Sequence, residues 1–365
     1  MPLLSTITKV IEQFRPDASV DSYVPLSIGH IHKTYIVEIT DKTNRKKVLL
    51  QEFSTDVFPS PDIVSQNISI ITEHLKKSSY PFEISIPLRT VDNQYYVKID
   101  YQNKEKYWRC LTYISDGITY SLAPSVTFVE SAVHGFALFQ ESLATINTAL
   151  IQAPINGFMD NPARYASLQK AISEDNASRK HLVMDLVQKI EDHKSLFTLI
   201  SDLYSDPLYR CRVTHGDMKL NNILFKSNSS EVKAVIDLDT CMVGDYLFDY
   251  GDFMRIACSE ASEDEKDHNK IQVNVDAVEA TFRGIKRAHI DLCQSEMAAL
   301  SRCGASLALT VGTRFLTDYL NGDRYFNVSY EDHNLIRAWN QVVLAERFLE
   351  KKNIITALQR KVFYE

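Results

Sequence analysis

Glycine is scarce in this chain, with 11 in 365 residues, and no two glycines fall at G-x-G spacing. The dinucleotide-binding fingerprint is therefore absent. No G-x-x-x-x-G-K-[ST] run occurs either, which excludes a P-loop. The six cysteines (Cys110, Cys211, Cys241, Cys258, Cys293 and Cys303) form no C-x-x-C pair. That argues against a zinc ribbon or a thioredoxin-like motif. Scattered cysteines in a chain of this size read as reduced thiols, so a cytoplasmic location is expected. No apolar run approaches the ~18–20 residues of a membrane-spanning helix. The first residues, MPLLSTITKVIEQFRP, have the pattern of a short amphipathic helix rather than a signal peptide. Neither sign of charge dominates: Lys plus Arg is 40 and Asp plus Glu is 47, for a formal net charge of -7. Such a balance gives no general attraction for a polyanion, and neither a nucleic-acid nor a membrane partner is expected.

What remains is an ordinary globular composition, 45% apolar and 24% charged. At ~100–200 residues per domain the length suggests two domains or one large bilobal unit. Residues 1–110 are rich in short β-branched and aromatic segments: Ser22–Ile28, Tyr35–Ile39, Val48–Phe53, Ile84–Ile86, Tyr95–Ile99 and Tyr107–Ile114. One helix, Pro61–Lys77, interrupts them, with proline suited to its first turn. Beyond Asp116-Gly117 the periodicity turns helical, over Thr127–Ile146, Pro162–Ser173, His181–Ile190, Val275–His289, Ser295–Leu320 and Glu331–Lys351. A single strand-turn-strand island lies near Arg212–Ile236. The order is not the alternation of a parallel α/β fold. It predicts an α+β, bilobal molecule: a small N-terminal β-sheet lobe over residues 1–113 and a larger, mainly helical lobe over 114–365, with a hinge near Cys110–Gly117.

The chemistry concentrates in Val213-Thr-His-Gly-Asp-Met-Lys-Leu-Asn-Asn222 and Val232-Lys-Ala-Val-Ile-Asp237-Leu-Asp239. Carboxylates and a carboxamide here sit in loops beside short apolar strands. A divalent cation can be shared by several such oxygens, and Mg²⁺ is usually held by one or two carboxylates plus phosphates and water. Asn222 and Asp237 match that demand. Asp217 can stand beside such a metal and accept a proton from an incoming hydroxyl. Lys219, two residues on, can neutralise charge on a moving phosphoryl group. The plainer readings are an Asx-rich turn at Asp217 and Asn222, a strand-end carboxylate at Asp237, and a solvated Lys219. Asp239 could share the face of Asp237 or make a structural salt bridge.

The pattern H-x-D-x-x-x-x-N followed by I-D resembles the protein-kinase-like phosphotransferases, in particular the aminoglycoside phosphotransferase and choline kinase family. The resemblance implies a kinase-like bilobal fold with ATP and Mg²⁺ between the lobes. It makes Asp217 the catalytic base, which also touches the acceptor, and Lys219 a second catalytic group. Asn222 and Asp237 become the metal ligands, His215 a loop-orienting residue, and Asp249 a brace for the catalytic loop. Five further segments are similar to the N-acetylhexosamine 1-kinases: Ile28–Thr34, Val48–Phe53, Val235–Thr240, Phe248–Arg255 and Gly312–Asp323. That implies an amino-sugar acceptor, phosphorylated at its anomeric hydroxyl, and a place in carbohydrate metabolism.

Gly29–His32, placed between two early strands, is expected to cover the nucleotide phosphates with Gly29 and His30 or touch the sugar with His32, although it would also make a plain hairpin turn. By the same resemblance Thr112 and Ile114 lend backbone groups to adenine. A sugar acceptor needs donors and a stacking face, which makes Arg314 and Tyr325 acceptor-site candidates; the plainer reading is a helix-surface Arg and a packed Tyr. One position departs from the wider family. Gln51 in VLLQEF stands where most members carry a strand lysine for the nucleotide phosphates. Gln51 is kept as a nucleotide-site residue, with the charge expected from Mg²⁺, Lys219 or the Gly29–Thr34 turn. An aminoglycoside, choline or homoserine kinase, or a catalytically inactive nucleotide-binding relative, would share the same catalytic loop. A metal-dependent hydrolase is a more distant alternative. The oligomeric state is left open.

Overall fold

A computed structural model describes residues 3–26, 31–101 and 104–365. Helix α1 (Leu3–Phe14) buries Ile7, Val10, Ile11 and Phe14, the one-sided spacing of an amphipathic helix. It packs on a five-stranded antiparallel sheet of β1 (Ala18–Leu26), β2 (Lys33–Asp41), β3 (Asn44–Phe53), β4 (Tyr96–Tyr101) and β5 (Lys104–Thr112). The strand order is β1-β2-β3-β5-β4. Alternate residues Val37, Ile39, Val48, Leu50, Trp108 and Cys110 face α1 and form a small core of their own. Lys42 takes a left-handed φ of 59° in the tight link between β2 and β3.

Helix α2 (Pro61–Lys77) starts where the sequence places it. Ser60 caps it by accepting the Ile63 N–H at 3.3 Å, and Pro61 occupies the first turn. Its buried face, Val64, Ile68, Ile71 and Leu75, joins the large helical core rather than the sheet core. The Asn67 side chain fastens it there, donating to the carbonyls of Gln152 at 2.7 Å and Cys241 at 3.2 Å.

The helical part contains α3 (Val126–Ser142), α4 (Asn161–Glu174), α5 (Met184–Asp192), α6 (Tyr246–Ala257), α7 (Val275–Arg287), α8 (Gln294–Leu300), α9 (Cys303–Leu320), α10 (His333–Glu350) and α11 (Lys352–Tyr364). Helix α9 is buried along nearly its whole length, against α10, α6 and α4. Gly251 lets α6 approach it: a Cβ there would lie 2.6 Å from the Cys303 carbonyl. The island resolves into short strands. β7 (Arg212–Thr214) pairs with β10 (Met242–Gly244), and β8 (Ile223–Lys226) lies between β6 (Gly117–Ile118) and β9 (Val232–Val235).

Two expected elements differ, and one further helix appears. Ser295–Leu320 is two helices, because α8 ends in a tight turn with the Arg302 N–H on the Ala299 carbonyl. Glu331–Lys351 becomes α10, and α11 follows it where no element was expected. Ile84–Ile86 is not a strand; Pro81 and Pro87, which lack N–H donors, flank a segment with only isolated bridges at Glu83 and Pro87. Among the described residues, no helix is long and apolar enough to cross a membrane.

Filling the close approach of α6 and α9 tests the packing. Gly251→Leu is expected to destabilise the protein by at least the ~1–3 kcal/mol typical of overpacking. A lowered urea midpoint with an unchanged slope would show it.

Candidate active site

The loop from His215 to Asn222 links β7 to β8, and backbone constraints fix its shape. Gly216 has φ +81°, and a Cβ there would fall 2.5 Å from the Thr240 carbonyl, so only glycine fits. Asp249, buried in the first turn of α6, accepts the N–H groups of His215 at 2.7 Å and Gly216 at 2.8 Å. Gln140 donates to the same carboxylate at 2.9 Å. Burial raises the Asp249 carboxyl to about 6, against the pull of His215 and these donors.

His215 is fully buried. Its Nε2 donates to the Ile236 carbonyl at 2.9 Å, and its Nδ1 accepts the Asp217 N–H at 3.3 Å. That arrangement requires one proton, on Nε2. Burial lowers its pKa despite the nearby carboxylates of Asp249 and Asp217. Both nitrogens are engaged, so His215 shapes the loop rather than meeting a ligand.

The loop presents Asp217. Its Oδ2 lies 2.6 Å from Lys219 Nζ and accepts from Asn222 Nδ2 at 2.9 Å. The Asn222 amide also donates to the Asp217 carbonyl at 2.8 Å, which leaves its Oδ1 as the atom available to a cation. Burial alone would lower the Lys219 pKa; the Asp217 carboxylate, with Asp237 and Asp252 beyond it, raises it instead, and the ammonium stays charged. Asp237 closes the group. The Ile236 N–H bonds the Asn222 carbonyl at 3.0 Å, and Asp237 follows with a left-handed φ of 62°. Its surface is open to solvent, yet the protein around it and the charges of Asp239 and Asp217 raise its pKa. Asp217, Lys219, Asn222 and Asp237 are thus brought together. One carboxylate and one amide oxygen suit Mg²⁺ whose remaining positions are filled by phosphate oxygens and water.

Asp239 faces the sheet. Its Oδ2 receives His32 Nε2 at 2.5 Å and Arg109 Nη2 at 2.6 Å. This is the salt-bridge alternative of the sequence reading. His32 Nδ1 accepts the Ser54 N–H at 3.0 Å, and its ring stacks on Phe53 and Phe58. Both of its nitrogens are therefore engaged within the protein, so His32 joins the two parts of the molecule and has no ring atom left for an acceptor. Gln51 accepts from Arg109 Nε at 2.8 Å and donates to the Thr34 hydroxyl at 3.1 Å.

Thr112 is also internally engaged. Its N–H donates to the Ile86 carbonyl, its hydroxyl accepts the Ile86 N–H, and its carbonyl accepts the Ser85 hydroxyl. Ile114 lies buried just past the end of β5. Arg314 stands over the rings of Tyr325 and Phe326 at 5.9 and 5.4 Å, and Tyr325 is 65% exposed. Gly29 and His30 lie outside the described residues.

Arg109 is the residue that the sequence reading missed. Its signal was a cation within the apolar strand YWRCLTYI. A separate cavity of about 340 Å³, lined in part by Asn161, Tyr204 and Asp245, contains none of the candidate site residues.

Residues 102–273 match the phosphotransferase enzyme family. The matched stretch includes the whole group from Asp217 to Asp239 as well as Arg109, Thr112 and Ile114. Over these residues, somewhat under half of the chain, the sequence is similar to that family. Its fold as a whole is similar to an aminoglycoside phosphotransferase from Alicyclobacillus acidocaldarius, 12% identical, with a TM-score of 0.63 over 98% of this chain and 96% of that one. It is similar to a microcompartment-associated aminopropanol kinase, 16% identical, with a TM-score of 0.60 over 96% and 98% of the two chains. A spectinomycin phosphotransferase in complex with ADP and spectinomycin is 13% identical, with a TM-score of 0.55 over 95% and 98%. Identities this low speak for the fold alone, and the fold is the α+β, kinase-like one expected.

The buried state of His215 is directly measurable. A lowered pKa means that the folded protein disfavours the protonated ring, so stability from this group is present above the unfolded value of ~6.5 and is lost as pH falls below it. NMR titration is expected to show this ring neutral at pH 6, where exposed histidines are largely protonated. His215→Gln is expected to flatten the fall in stability between pH 7 and 5.

Proposed function

We propose that this chain is a phosphotransferase that transfers the γ-phosphoryl group of ATP to a small-molecule hydroxyl, and that the acceptor is the anomeric hydroxyl of N-acetylglucosamine or N-acetylgalactosamine. The observation that carries the reading is the Asp217 carboxylate, held by Lys219 and Asn222 beside Asp237. Asp217 orients the hydroxyl and accepts its proton. Lys219 stays charged beside it and neutralises negative charge on the transferring group. Asn222 and Asp237 hold Mg²⁺, which supplies charge neutralisation on the phosphates. Residues 1–113 act as the nucleotide lobe and 114–365 as the catalytic and acceptor lobe. With Thr112 engaged inside the sheet, the adenine contact falls to the backbone near Ile114.

Arg314 and Tyr325 supply the acceptor site. Arg314 has no carboxylate partner among the described residues and keeps donor capacity beside an exposed aromatic face. Burial, with Arg164 and Arg255 near it, lowers its pKa. The narrowing from small-molecule kinase to amino-sugar kinase rests on the five similar segments of sequence. Solved structures with this fold include the spectinomycin phosphotransferase with ADP and an amicoumacin kinase with AMP-PNP and Ca²⁺, which support a nucleotide and a divalent metal here.

An ATP-consumption screen tests the reading. N-acetylglucosamine, N-acetylgalactosamine, unacetylated sugars, choline, homoserine and kanamycin are each offered with Mg²⁺. Turnover with the acetylated sugars alone is expected. Turnover with another acceptor would replace the sugar, and ATP binding without turnover would make the chain an inactive relative. Asp217→Asn is expected to lower kcat by about 10²–10⁴-fold. Its ATP affinity should stay within about tenfold, or ~1.4 kcal/mol.

A further inference from the structure

We propose that Arg109, oriented by Gln51, gives the nucleotide phosphates the fixed cation that Gln51 itself cannot provide. The inference rests on the nucleotide-binding part of the preceding reading and is independent of which acceptor is used. Gln51 on β3 and Arg109 on β5 are direct cross-strand partners, so their side chains leave the sheet on the same face. The Arg109 guanidinium is buried, and two of its three nitrogens are fixed: Nε on Gln51 Oε1 and Nη2 on Asp239 Oδ2. Two such bonds set the plane of the group, so the direction of Nη1 is set as well.

Nη1 is buried and has no hydrogen-bond partner. A tie between the sheet and Asp239 explains Nε and Nη2 but not this nitrogen. A buried donor without an acceptor is unfavourable, and it marks a place where a ligand atom is expected. The neighbourhood identifies the ligand's chemistry. Asp239 lies two residues past Asp237, so the guanidinium stands next to the group suited to Mg²⁺ and the phosphates that would complete its shell. A guanidinium N–H matches a phosphate oxygen in geometry and charge.

His32 does not compete for this role. Its Nε2 is spent on Asp239 and its Nδ1 on the Ser54 N–H, so neither ring nitrogen is left for a phosphate. Among the described residues, Arg109 is the partner of Asp239 that keeps a buried nitrogen without an acceptor. In this chain the cation has moved one strand over from the lysine position of related kinases, and Gln51 has become its holder.

The test compares affinities of the full-length protein for adenosine and ADP by calorimetry, with Mg²⁺ and without acceptor. Wild type is expected to prefer ADP strongly. Arg109→Met is expected to cut the ADP-over-adenosine preference at least tenfold while adenosine binding changes less than twofold. Arg109→Lys keeps a charge beside Asp239, and so protects folding, but cannot serve Gln51, Asp239 and a phosphate together. It is expected to cut the preference at least threefold. An unchanged preference in whichever variant folds, or equal loss of adenosine and ADP, would overturn the inference. A wild type that binds no nucleotide would instead overturn the preceding reading.

Discussion

The Oδ2 atom of Asp239 is where the sheet and the helical body are joined by charge. His32 reaches it from β2 and Arg109 from β5, across 207 and 130 residues of sequence. Burial alone would raise the Asp239 carboxyl; Arg109, and then His32, outweigh that and hold it well below the usual carboxylate range. A buried carboxylate stripped of such partners is strongly destabilising, so the three residues stand or fall together. The consequence for Asp237, two residues back, is opposite in sign. Burial first, and then the negative charge of Asp239 and Asp217, raises its pKa against the pull of Lys219. One carboxylate is matched by a guanidinium from within the protein and its neighbour is not. In the proposed function that asymmetry would suit a divalent cation at Asp237.

The loop from His215 to Asn222 has a second, separate brace. Asp249 grips two consecutive N–H groups of the loop, Gln140 of α3 holds Asp249, and Tyr250 donates to Gln140 at 2.6 Å. Gly216 permits the turn that brings the loop against Thr240. The Asp217 carboxylate is therefore presented by a backbone with little freedom to relax. In the proposed reaction, rigid support of this kind would let Asp217 and Lys219 act without reorganising.

Local chemistry was well written in the sequence. The H-x-D-x-x-x-x-N spacing is short, and a five-residue loop brings Asp217 and Asn222 into contact however the rest folds. The proline-led start of α2 and the amphipathic α1 were legible for the same reason: each depends on neighbours a few positions away. The break between α8 and α9 was hidden because apolar residues continue through it. The partners of His32 and Gln51 were hidden more deeply. Nothing in their own segments points to Asp239 or Arg109, and both read as residues facing a ligand until the pairing of β3 with β5 is known. Arg109 carried a faint signal as a charge among apolar strand residues, but its meaning depends on what stands opposite.

Core membership divides the molecule differently from chain order. The sheet and α1 enclose one apolar cluster, whereas Phe53, Phe58 and α2 belong to the cluster of the helical body. Asn67 of α2 is bonded to the Cys241 carbonyl, directly after the turn that carries Asp239. Helix α2 therefore supports the segment that carries Asp237 and Asp239, although it lies between strands of the sheet in sequence. Phe53 ends β3 yet packs in the helical cluster, so the sheet is fastened to the helical body by an apolar contact as well as by His32 and Arg109 on Asp239. A nucleotide phosphate that engaged Arg109, as proposed, would act directly on the polar part of that fastening.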